Sequence, residues 1–236
     1  MKRLTNKQVY TAIERHRFIP LFSHDDAEVC RNVVRAAYEG GVRLFEYTNR
    51  SPNALKTFSA LSEFCQSAYP DLVLGAGTIM NKREAKAFYK EGAQFIVAPA
   101  IDTGVGDYCA DNDLLWCPGA STLNEIITAH NAGADLVKLF PGNFMGGPAY
   151  LEALRGPCPY IKILVTGGVD ESEENLKAWF RAGAVAVGMG SNFFRKEAIA
   201  QNNFGVIKDL AAHITGVVTA LTPAGGSKKT TNEVPA

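Results

Sequence analysis

Cysteine and histidine are scarce in this chain of 236 residues, and the few that occur are not grouped. The five cysteines, Cys30, Cys65, Cys109, Cys117 and Cys158, are odd in number and contain no C-x-x-C pair, which argues against both a disulfide framework and a zinc site. They read as packing residues. The four histidines, His16, His24, His130 and His213, are far apart and form no H-x-x-x-H pair, so no bound metal is expected. An excess of one charge is also missing. Twenty-four Lys and Arg balance twenty-four Asp and Glu without a block of like sign, which argues against a nucleic-acid or anionic-lipid partner and for a small molecule. No apolar run is long enough to span a bilayer, and the basic start MKRLTNKQVY has no apolar run behind it. No membrane contact and a cytoplasmic location are expected.

What the chain does have is repetition. Eight short apolar runs alternate with longer amphipathic stretches, the sequence form of repeated βα units around a parallel sheet. The runs are FIPLF (18–22), RLFEYT (43–48), LVLGAGT (72–78), FIVAPA (95–100), LLWCPG (114–119), LVKLFPG (136–142), KILVTGG (162–168) and VAVGMG (185–190). Between them lie helical patterns such as DDAEVCRNVVRAAYEGG, with Val29, Val33, Ala36 and Ala37 at helical spacing. In EGGVRLFE, EGAQFIVA, NAGADLVKL and RAGAVAVG a glycine separates helix from strand, where it accepts the left-handed conformation that stops a helix. The fold class expected is α/β, a (β/α)8 barrel over residues 1–221. An open doubly wound sheet is the alternative. NKQVYTAIERHR adds an extra N-terminal helix that can cover the bottom of the barrel, FGVIKDLAAHITGVVTAL is the closing helix, and TPAGGSKKTTNEVPA (222–236) reads as a flexible tail.

In such barrels chemistry sits at the C-terminal ends of the strands. Lys138 interrupts the apolar run LVKLFPG, and alternation turns it inward if Val137 and Leu139 face the helices. A lysine in a dry interior has its ammonium form disfavoured, and the free amine can attack a carbonyl. The alternative is a lysine that reaches the rim or sits in a structural ion pair. Glu46 holds the same position in RLFEYT and points into the same interior, where a carboxylate can serve as general acid and base to the amine; an ion pair with Lys138 or Arg50 is the other reading. Arg50, in the following loop, suits a carboxylate or phosphate, although a lone loop arginine is more often solvated. Thr78 closes GAGT with a hydroxyl for a substrate oxygen. Thr166, Gly167 and Gly168 end a run with successive N–H groups suited to an anion, and Met189, Gly190 and Ser191 follow the eighth run, where barrels often bind phosphate. Both glycine clusters also fit plain turn chemistry.

Taken together, F-E-Y-T-N-R around Glu46 and Arg50, G-A-G-T-I-M-N from Gly75 to Asn81, V-K-L-F-P around Lys138 and V-T-G-G at 165–168 resemble one family. It is the family of 2-keto-3-deoxy-6-phosphogluconate and 4-hydroxy-2-oxoglutarate aldolases, and the likeness runs from Ile19 to Phe194. The resemblance implies a class I lyase on a (β/α)8 barrel, a homotrimer without a cofactor. It reversibly cleaves a 2-keto-3-deoxy sugar acid, 2-keto-3-deoxy-6-phosphogluconate or 4-hydroxy-2-oxoglutarate, to pyruvate and glyceraldehyde 3-phosphate or glyoxylate. It further implies that Lys138 forms an imine with C2 and that Glu46 shuttles protons through a bound water. Arg50, Thr78 and the amides of Thr166, Gly167 and Gly168 then hold the pyruvyl part, and Pro141 shapes the site.

Four places depart from the family pattern. Val165 replaces a proline, Gly142 an alanine, Ala98-Pro99-Ala100 the usual S-P-G, and Met189-Gly190-Ser191-Asn192 the usual G-G-S-W phosphate loop. The bulk of Met189 is expected to shift a bound phosphate or to favour a non-phosphorylated substrate. Two rival readings are another phosphate-binding barrel enzyme, a decarboxylase or isomerase with Lys138 as a charged acid, and a non-catalytic keto-acid binding protein.

Overall fold

Each βα unit is punctuated by local chemistry. Side-chain caps start most helices: Thr5 and Thr122 form capping boxes with Gln8 and Glu125, and Asp26, Asn81, Asp102 and Ser172 each accept a backbone N–H of the first turn. Four of the glycines that end them, Gly41, Gly92, Gly133 and Gly183, have φ between 89° and 112°, a region that only glycine enters without strain. These are the four joints expected from the sequence.

The computed structural model describes residues 3–221, so the tail expected over 222–236 lies outside the described residues. The strands are β1 (Phe18–Phe22), β2 (Leu44–Thr48), β3 (Val73–Gly77), β4 (Phe95–Val97), β5 (Leu115–Cys117), β6 (Gly119–Ala120), β7 (Val137–Leu139), β8 (Ile163–Thr166) and β9 (Ala186–Met189). The helices are α1 (Asn6–His16), α2 (Ala27–Glu39), α3 (Ala54–Ala68), α4 (Lys82–Lys90), α5 (Thr103–Asp111), α6 (Leu123–Asn131), α7 (Pro148–Leu154), α8 (Glu173–Arg181), α9 (Lys196–Ala200) and α10 (Gly205–Ala220). All strand pairs are parallel, in the order β5-β4-β3-β2-β1-β9-β8-β7-β6.

The two ends of that order are neighbours in sequence, which closes the barrel. The run expected as one strand over 114–119 is broken at Pro118 into β5, which pairs with β4, and β6, which pairs with β7. Pro118 has no N–H for a ladder, but its carbonyl accepts from Lys138 N at 2.8 Å. The eight expected runs therefore become nine strands, and the barrel seam lies beside Lys138. The short helix α9 likewise has no counterpart among the expected elements.

Alternation sorts the side chains into two cores. Phe45, Tyr47, Val137, Leu139, Val165, Val187 and Met189 join the helices in the outer layer. Ile19, Leu44, Val73, Phe95, Leu115, Cys117, Leu136, Leu164 and Ala186 fill the barrel. Val9 and Ile13 of α1 belong to that inner cluster, so α1 seals the N-terminal end, as its sequence position suggested. Burying each contributes roughly 1.5–3 kcal/mol. Arg17, just after α1, fixes the seal by donating to the carbonyls of Val185, Ala184 and Leu221 at 3.2, 3.3 and 3.4 Å.

Candidate active site

On three strands the interior face changes character two residues toward the C-terminal end. Leu44 is followed by Glu46, Leu136 by Lys138 and Leu164 by Thr166, each apolar residue in the inner core and each polar one in the layer above. All three polar residues are buried, Glu46 at 1%, Lys138 at 6% and Thr166 at 3% exposure. Buried polar atoms are normally paired. Here Glu46 Oε1 and Oε2 and Thr166 Oγ1 have no partner, and among the described residues the Lys138 ammonium takes part in no hydrogen bond or ion pair. The ion pair of Glu46 with Lys138 or Arg50 that would make both groups merely structural is not formed.

Lys138 Nζ instead lies 5.1 Å from the centre of the Phe140 ring. Cys117, across the seam, feels both charges. Burial pushes its thiol up, the Lys138 ammonium pulls it down and the Glu46 carboxylate pushes it up again.

Glycines on neighbouring strands give these side chains room. A Cβ at Gly77 would lie 1.8 Å from Glu46 Oε1, and one at Gly188 would lie 2.5 Å from Thr166 Cγ2. The last glycine of GAGT therefore serves the carboxylate directly. Thr78, the next residue, is half-buried with φ 60°, a costly conformation for a β-branched side chain and one that recurs at functional sites.

The β7 and β8 loops are stitched together beside Lys138. Gly142 N donates to Thr166 O at 2.9 Å and Asn143 N to Gly167 O at 3.2 Å. Gly167 and Gly168 are both left-handed, with φ 84° and 79°, and a Cβ on Gly167 would lie 3.2 Å from Pro141 Cα. The Gly168 carbonyl is held by Asn175 Nδ2 at 3.0 Å and Trp179 Nε1 at 3.3 Å. Among the described residues neither Gly167 nor Gly168 donates its N–H, so both amides remain for a ligand.

The remaining expected residues lie around a cavity of about 690 Å³ over β1, β2 and β9. Arg50, Gly190 and Ser191 line it, together with Thr48, a polar residue late in its strand run, and with Ser23, His24, Arg195 and Lys196, for which the sequence carries no such signal. Arg50 is exposed and its guanidinium has no partner among the described residues, whereas Arg195 pairs with Glu171 at 3.0 Å. Lys138 and Glu46 are thus brought together with Thr166, while Arg50 and the Gly190–Ser191 turn stand at the cavity mouth.

The family model for KDPG and KHG aldolase matches residues 9–210. This chain belongs to the KDPG and KHG aldolase family. It is 30% identical over 210 residues to the 2-dehydro-3-deoxy-phosphogluconate aldolase of Treponema pallidum, covering 89% of this chain and 97% of that protein. It is 34% identical over 164 residues to the 2-dehydro-3-deoxy-6-phosphogalactonate aldolase of Escherichia coli, 69% of this chain and 77% of that one. The crystal structure of a Legionella pneumophila KDPG aldolase, with pyruvate captured as a covalent carbinolamine, has the same fold. Its TM-score is 0.78 at 24% identity, over 89% of this chain and 98% of that one. This member of the aldolase family is therefore a lyase on a (β/α)8-type barrel.

Two of its departures from the family pattern meet in space. A Cβ at Gly142 would lie 2.9 Å from Val165 Cγ1, so glycine at 142 accommodates the branched residue at 165. The expectation for Met189 is corrected. Its side chain is 2% exposed and packs in the outer core, because alternation turns Gly188 inward and Met189 toward the helices. Its bulk is not in the mouth, and only its backbone can face a ligand.

Proposed function

We infer that this aldolase cleaves a 2-keto-3-deoxy sugar acid to pyruvate and an aldehyde through an imine on Lys138. The observation that carries this reading is the pair Lys138 and Glu46, whose side chains are buried in one barrel interior with no hydrogen-bond or ion-pair partner among the described residues. A buried, unpaired amine and carboxylate cost stability and are retained where a reaction needs them.

The Lys138 amine attacks C2 of the keto acid to give a carbinolamine, and loss of water gives the protonated imine. Glu46, acting through a water, takes the proton of the C4 hydroxyl. The C3–C4 bond then breaks, its electron pair moves to C3 and on to the imine nitrogen, and the aldehyde departs from an enamine instead of a bare carbanion. Protonation of C3 and hydrolysis of the imine release pyruvate and restore the amine. Arg50, Thr78, Thr166 and the Gly167 and Gly168 amides receive the pyruvyl carboxylate and oxygen, with Pro141 as a wall. The Gly190–Ser191 amides, the Met189 backbone and Lys196 stand across the cavity for a terminal anion, which favours 2-keto-3-deoxy-6-phosphogluconate, with 4-hydroxy-2-oxoglutarate as the shorter substrate.

We also propose a homotrimer in the cytoplasm. Phe144 at 81% and Met80 at 51% exposure, both in loops after strands, support burial against another subunit. The five buried, unpaired cysteines suit a reducing compartment. Among the described residues no helix is long and apolar enough to cross a membrane.

The test is mass spectrometry of the intact protein after incubation with pyruvate and borohydride, alongside Lys138→Ala. A reduced pyruvyl adduct on the wild type alone is expected. No adduct on either protein would reject the imine and return the chain to other barrel chemistries.

A further inference from the structure

The strand order β9-β1-β2 puts the loop after β1 between the loop that carries Arg50 and the turn Gly190–Ser191. A substrate held at Arg50 by its pyruvyl end and at Gly190–Ser191 by its terminal anion must therefore cross Ser23 and His24. Both residues line that cavity.

The loop is built to present two hydrogen-bond donors. Thr48, which shares the inward face of β2 with Glu46, donates its Oγ1–H to Ser23 Oγ at 2.9 Å, so the Ser23 hydrogen is left to point elsewhere. The Asp26 N–H donates to His24 Nδ1 at 3.0 Å, and an accepting Nδ1 leaves the ring hydrogen on Nε2. The His24 carbonyl accepts from Tyr47 Oη at 3.1 Å and Cys30 Sγ at 3.4 Å, and the ring stacks on Phe22 at 6.4 Å with an interplanar angle of 4°. Backbone and ring are thus fixed from below and from the side. Among the described residues His24 Nε2 has no partner.

Resting on the aldolase reading above, we propose that Ser23 and His24 are specificity-determining residues that donate hydrogen bonds to the C5 hydroxyl of a six-carbon substrate. The C4 hydroxyl is common to both candidate substrates and belongs to Glu46. The C5 hydroxyl is the first group past the cleaved bond that distinguishes a six-carbon sugar acid from 4-hydroxy-2-oxoglutarate, whose fifth carbon is a carboxylate. A donor pair placed for the single oxygen of a hydroxyl on a tetrahedral carbon meets instead, in the shorter substrate, two oxygens in the plane of a carboxylate, and it discriminates through the geometry of the hydrogen bonds made.

The experiment compares kcat/KM for 2-keto-3-deoxy-6-phosphogluconate and for 4-hydroxy-2-oxoglutarate in wild type, His24→Ala, His24→Gln and Ser23→Ala. The ratio of the two constants is expected to fall roughly 10-fold in His24→Ala and Ser23→Ala. In His24→Gln, whose amide can both accept from Asp26 and donate to substrate, most of the ratio returns. Pyruvate trapping on Lys138 stays as in wild type in all three variants. An unchanged ratio, or an equal loss on both substrates, overturns the assignment. Failure of the wild type itself to trap pyruvate overturns the imine reading instead, and the two failures are read on different measurements.

Discussion

The two ends of the barrel are made from the same strands and differ in how their polar groups are settled. At the N-terminal end α1 lies over an apolar plug of Val9, Ile13, Ile19, Leu44 and Leu136, and Arg17 places its guanidinium on three carbonyls. Two residues further along the same interior faces, the C-terminal end holds Glu46, Lys138 and Thr166. Of the five buried side-chain atoms without a partner among the described residues, three belong to Glu46 and Thr166. The sealed end keeps one such atom, Tyr10 Oη on α1, within an apolar plug, whereas the other end gathers unpaired groups that a substrate can satisfy. Stability and activity should therefore respond to substitution in opposite senses at the two ends.

The largest effect is expected at Lys138. Lys138→Met should reduce aldol cleavage to below about one-thousandth of wild type. It should also raise stability by about 1–3 kcal/mol, since an unpaired buried amine becomes an apolar chain of similar length. Denaturant melts beside steady-state rates measure both, and a loss of stability would break the contrast between the ends.

Gly77→Ala puts a Cβ where the Glu46 carboxyl lies and should lower kcat about 100-fold through displacement of the general base. Trapping of pyruvate should survive, because Lys138 is untouched. Full kcat in this variant would mean that Glu46 is free to move and that the bare strand has another purpose. At the sealed end, Ile13→Ala should cost about 2–5 kcal/mol of stability. The kcat of the folded protein should stay within about twofold, because lid and mouth are separated by the barrel core. A parallel drop in kcat would show the two ends to be coupled.

The smallest effect concerns a mouth residue that is satisfied. Backbone N–H groups of Thr122 and Ser121 hold the Glu125 carboxyl below its ordinary value of 4.5. A carboxyl lowered in the folded state stabilises above its unfolded value, and that contribution is lost as pH falls through the folded one. The stability gap between wild type and Glu125→Gln should accordingly shrink as pH drops from about 5 to about 3. A gap independent of pH would leave only the neutral part of the capping box.

Much of this was legible in the sequence, for reasons visible at particular residues. Lys138 and Glu46 each sit between two apolar neighbours, and a period of two leaves one direction for them, into the barrel. The glycines at 41, 92, 133 and 183 announced the joints because few other residues tolerate that backbone. The break at Pro118 had a signal too, since proline inside a strand run marks a point where pairing changes, but nothing local says which partners lie on either side. The outward turn of Met189 is harder to see, because G-M-G-S has the composition of a loop while the alternation of β9 extends into it as far as Met189.

The order of elements, the inward direction of the reactive pair and the apolar character of its surroundings were determined by the sequence alone, because each follows from interactions between residues near in the chain. Tertiary structure decided the rest. That Glu46 needs a bare Gly77, that Gly142 makes room for Val165, and that Ser23 and His24 flank the path from Arg50 to Ser191 depend on which strands become neighbours when the barrel closes. Closure brings together residues far apart in the chain, and steric fit between them leaves no periodic trace in either segment.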